Sequence, residues 1–102
     1  MDMTEPDVPS VLAGMPTFEW DSDQAVRYEV AVEAISQAVA AYTALVNQAR
    51  TRGDSAEAER LAGLRADCTQ ERNALRSTDF AALNATVRRY RDLIESLRAQ
   101  AR

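Results

Sequence analysis

Between Tyr28 and Ala49 apolar residues recur at alternating steps of four and three: Tyr28, Val32, Ile35, Val39, Tyr42, Val46 and Ala49. That is the seam of an α-helix packed in coiled-coil fashion. Ala31, Ala34, Ala38, Ala40, Ala41, Ala44 and Leu45 make its flanks apolar too. A helix apolar on most sides is expected to be covered on most sides, so this one reads as the centre of the fold. Asp21 and Gln24 have capping-box spacing, which starts the helix near residue 22. Arg52-Gly53-Asp54-Ser55 ends it: Gly53 suits the left-handed residue that closes a helix, and Asp54 with Glu57 repeats the capping spacing.

A second helix over about 55–76 is thinner in apolar content. Leu61, Leu64, Cys68 and Leu75 form its stripe, which breaks near Glu71 and Arg72, so this helix should be the most exposed. Ser77-Thr78-Asp79 offers N-caps for a third helix over about 79–101. Its seam is Phe80, Leu83, Val87, Tyr90, Ile94, Leu97 and Ala101, with charged residues on the other faces. Short links between three helices predict an all-α, up-down-up three-helix bundle, a coiled-coil-like hairpin plus a third helix. The first helix, spanning about 22–52, should overhang the others by about two turns.

Residues 1–16 have no such period. They are acidic and contain all three prolines, and they read as a disordered tail ahead of one helical domain over 17–102. Charge sharpens the division. Residues 1–33 hold eight acids against Arg27, a net of −7, whereas 34–102 hold eight acids and eleven Arg, a net of +3. The two ends are therefore able to attract each other. Residues 34–49 carry no charge, but the run is too short and too polar to predict a membrane span. One cysteine, Cys68, fits a reducing cytoplasm, and no signal-peptide pattern is seen in the first residues.

Missing residue types exclude much chemistry. Without His there is no Ser-His-Asp or Cys-His nucleophile, no HExxH zinc site and no Glu-x-x-His di-iron ligand. Without Lys there is no Schiff base and no Walker A loop. No cofactor, metal or catalytic residue is expected. The acid pairs Glu29/Glu33 and Asp67/Glu71 read as solvated charges, and Cys68 as a small core residue.

Three functional readings remain. The leading one is a non-catalytic interaction or adaptor protein, dimeric through its first helix and binding a further protein. Its candidate partner-binding residues are Phe18, Trp20, Tyr28, Val39 and Tyr42. The second is a nucleic-acid-binding regulator using Arg88, Arg89 and Arg91, weakened by the interrupting Asp92 and Glu95 and by the net charge of −4. The third is a small ligand-binding or enzymatic bundle in which Arg65 and Arg72, seven residues apart, clamp an anion. Salt bridges from these two Arg to neighbouring helices, or simple exposure, are the plainer expectation. Phe18 and Trp20, outside the first helix, are expected to cover the open end of the bundle in the same chain or a dimer mate.

Overall fold

The structure, a computed structural model, describes residues 22–101, which form three α-helices. α1 spans Ser22–Thr51, α2 spans Ser55–Ala74 and α3 spans Phe80–Ala101. The tail 1–16, and with it Phe18, Trp20 and Asp21, lies outside the described residues. α1 is the centre, with α2 and α3 each packed along it. α2 returns antiparallel, since Arg65 reaches Thr43 and Arg72 reaches Ser36. α3 runs parallel to α1: Arg27 meets Asn84 near one end and Gln48 meets the Ala101 carbonyl near the other. The bundle is all-α and up-down-up.

Local chemistry explains both links. Gly53 has φ +79°, and the amides of Gly53 and Asp54 donate to the carbonyls of Arg50 and Ala49. That is a Schellman closure, which satisfies two carbonyls that the helix end leaves orphaned. Asp54 then caps α2 by accepting from the Glu57 amide at 3.1 Å. The capping box is only half made, because the Glu57 carboxylate pairs with Arg60 instead of reaching back. α2 stops two residues earlier than expected, where Leu75 turns extended at φ −62°, ψ 143°. Asp79 caps α3, accepting from the Ala82 amide at 3.0 Å. Gln24 does not serve a capping box; its amide donates to the Ser77 carbonyl at 2.6 Å. The 75–79 link is thereby held against the stretch of α1 that the shorter α2 does not reach.

The buried line on α1 is Ala31, Ile35, Ala38, Tyr42, Leu45 and Ala49, with Ala34 and Val46 beside it. It is turned from the expected seam, leaving Tyr28, Val32 and Val39 half-buried. Two neighbours share one side of α1, so the most protected residues lie between their contact lines. On α2 the inward line runs Ala58, Leu61, Arg65, Cys68, Arg72 and Leu75, at steps of three and four. Leu64 is not on it and is 37% exposed, contrary to the apolar stripe. On α3, Thr86 is buried where Val87 was expected, and Phe80 sits at the edge beneath the Arg27 guanidinium, 5.1 Å from its ring centre.

By length and hydropathy α1 would also pass as a membrane-crossing helix. A bundle's central helix and a membrane span share that property, and here Ile35, Ala38 and Val46 are fully buried by protein.

Candidate interaction groove

The side of α1 turned away from α2 carries its own line at steps of four and three: Val26, Val30, Glu33, Gln37, Ala40 and Ala44. All six are exposed. α3 supplies the opposite wall with Val87, Arg91, Ile94, Leu97, Arg98 and Ala101. Between them lie four shallow depressions of about 370, 440, 380 and 280 Å³. Neighbouring depressions share Val30, Gln37, Arg91 or Arg98, so together they make one groove. From Val26 to Ala44 it runs for about 27 Å, at about 1.5 Å per residue. Ala40, Ala41 and Ala44 keep its far end low, which lets another backbone approach closely.

The rims differ in charge. Arg88, Arg91 and Arg98 stand on α3, interrupted by Glu95, and Glu29 and Glu33 stand on α1. Among the described residues these three Arg make no hydrogen bond or ion pair. Arg89 turns the other way, one residue step around the helix, and forms an ion pair with Glu71 of α2. The expected basic group Arg88, Arg89 and Arg91 is therefore split between two faces.

Glu71 also accepts from the Tyr90 hydroxyl at 2.7 Å. The Arg89 hydrogen bond holds the Glu71 carboxyl below its ordinary range, outweighing the effect of burial. Burial, then the hydrogen bonds to Glu71 and Cys68, pushes the Tyr90 hydroxyl well up. Burial likewise raises Tyr42. Glu71 is thus a half-buried fastening between α2 and α3, not the solvated charge its i,i+4 pairing with Asp67 suggested.

Among the described residues Arg65 and Arg72 form no salt bridge and instead reach hydroxyls of α1. Arg65 Nη1 donates to Thr43 Oγ1 at 3.1 Å, and Arg72 Nη1 donates to Ser36 Oγ at 2.9 Å. The Thr43 hydroxyl can accept because its own proton goes to the Val39 carbonyl. Two Arg a heptad apart on α2 thus meet two hydroxyls a heptad apart on α1, within a half-buried seam. Each guanidinium gives one hydrogen bond to a hydroxyl of α1, so both Arg serve the packing of α2 on α1.

Of the expected partner-binding residues, Tyr42 is 6% exposed and belongs to the core, and Tyr28 and Val39 are half-buried. The accessible line is Val26, Val30, Ala40 and Ala44 instead. Its signal was present in the sequence as a second four-three period, masked by Glu33 and Gln37. Among the described residues no three His, Cys, Asp or Glu side chains group as metal ligands. No family model, curated protein or solved structure matches the chain.

Proposed function

We propose that this is a non-catalytic protein–protein interaction module of the cytoplasm, which pairs with a second copy along α1 and works as a small adaptor or regulator. The groove between α1 and α3 carries the reading. Its apolar floor and small residues suit a helix laid along it, and a second α1 brings the same four-three line to a two-fold interface. A further protein would then be bound by the dimer. Sedimentation of the intact chain tests this. Dimers should form at micromolar concentration, and Ala44→Arg should dissociate them without loss of helical circular dichroism. A chain that stays monomeric at high micromolar concentration sinks the proposal. The nucleic-acid reading draws less support, because Arg89 is tied to Glu71 and Glu29, Glu33 and Glu95 flank the remaining Arg.

A further inference from the structure

The exposed large apolar residues are unevenly placed. Val26 and Val30, 58% and 38% exposed, line one depression toward the end of the bundle where residue 21 joins α1, and Phe80, 36% exposed, lies under Arg27 at the same end. Leu64 is the one other such side chain among the described residues. Just before that junction the sequence carries Phe18 and Trp20. Residues 1–21 hold five acids (Asp2, Glu5, Asp7, Glu19 and Asp21) and no base, whereas residues 22–101 hold eleven of each sign. The acidic segment is thus joined to α1 a few residues ahead of Val26 and Val30, whose depression Arg88 and Arg91 also line.

We propose that residues 1–21 fold back onto the Val26–Val30 end of the groove and compete there with a second copy of the chain. The competition rests on the dimer proposed above; the docking does not. In an extended segment Phe18 and Trp20 point to one side and Glu19 to the other. Both rings then meet the floor of the depression of about 370 Å³ formed by Val26, Val30 and Val87. The acids pass along the α3 rim, because Glu29 and Glu33 repel them from the α1 rim. Reach is sufficient: at about 3.3 Å per extended residue, a segment of this length exceeds the roughly 27 Å groove.

Trp20 is the chain's only tryptophan, so the full-length protein carries its own probe. At a concentration where sedimentation shows monomer, in low salt, Trp20 emission should be blue-shifted and protected from acrylamide. Arg88→Glu/Arg91→Glu and, separately, Val30→Asp should each shift it to solvent-like emission, and added salt should do so in part. Phe18→Ser/Trp20→Ser should tighten dimerisation. Solvent-like emission in the unaltered monomer overturns the docking, as does protection that survives both groove variants. Dimers that form with Trp20 still protected overturn the competition and leave the dimer standing. Protected Trp20 in a chain that never dimerises supports the docking while overturning the dimer and the competition with it.

Discussion

Tyr90 Oη lies 2.7 Å from Glu71 Oε1, and the same carboxylate takes the Arg89 guanidinium. A buried hydroxyl of α3 is in this way satisfied by a half-buried acid of α2, and an exposed Arg balances the charge. Tyr90 is 2% exposed, so water is a poor substitute acceptor. Glu71→Ala should cost about 1–3 kcal/mol, the cost of leaving a buried polar group unpaired. Glu71→Gln keeps an acceptor for Tyr90 and should cost less than about 1 kcal/mol, since Arg89 is largely exposed. Urea unfolding of the two variants separates these cases, and equal losses would contradict the assignment.

Stability should be flat near neutral pH, because the chain contains no His. Glu71 has a lowered pKa in the fold, so its contribution is present above its ordinary value of 4.5 and is lost as pH falls through the folded value. Tyr42 and Tyr90 are raised, so theirs is complete below the ordinary tyrosine value of 10.0 and is lost as pH rises above it. Thermal unfolding against pH should show a plateau with a fall at each end. Tyr90→Phe should soften the alkaline fall, and a slope through pH 7 would contradict the expectation.

The ladder of Arg65 on Thr43 and Arg72 on Ser36 lends itself to a double-mutant cycle. Ser36→Ala removes the acceptor that faces Arg72 and should cost about 0.5–1.5 kcal/mol. Arg72→Leu with Ser36→Ala replaces the polar pair by apolar groups, and such exchanges are often neutral or stabilising. The double variant should therefore be more stable than Ser36→Ala alone. Strict additivity of the two single changes would mean that the pair is not coupled.

At the first link, Gly53→Ala should cost about 1 kcal/mol, although open space surrounds an added methyl group. The cost comes from φ +79° alone, a backbone conformation that alanine adopts poorly. Asp54→Ala should cost about 1 kcal/mol through loss of the α2 cap. Denaturant midpoints check both, and a neutral Gly53→Ala would show that the turn can relax to negative φ.

Much of the architecture is legible in the residues themselves. Helix number, order and approximate ends follow from four-three periodicity and from Gly53, Asp54 and Asp79, because capping is settled by neighbours in the chain. The candidate site was less legible. Tyr42 and Val39 read as partner-binding residues because α1 is apolar on most sides, and composition does not tell which side two other helices will claim. Arg65 and Arg72 hid the true line of α2, since reading by apolarity led to Leu64 where the geometric heptad passes through two Arg.

The sequence by itself determined three helices, their links and the exclusion of His- and Lys-dependent chemistry, since each rests on residue type or on spacing along a single helix. Only the tertiary structure decided the rotation of each helix about its axis. That rotation puts Tyr42 inside and Val26 outside, turns Arg89 toward Glu71 and leaves Arg88 and Arg91 on the groove. Its physical reason is that burial is shared among helices: an apolar face gains from any partner, and the choice is made by small residues and polar pairs across the seams.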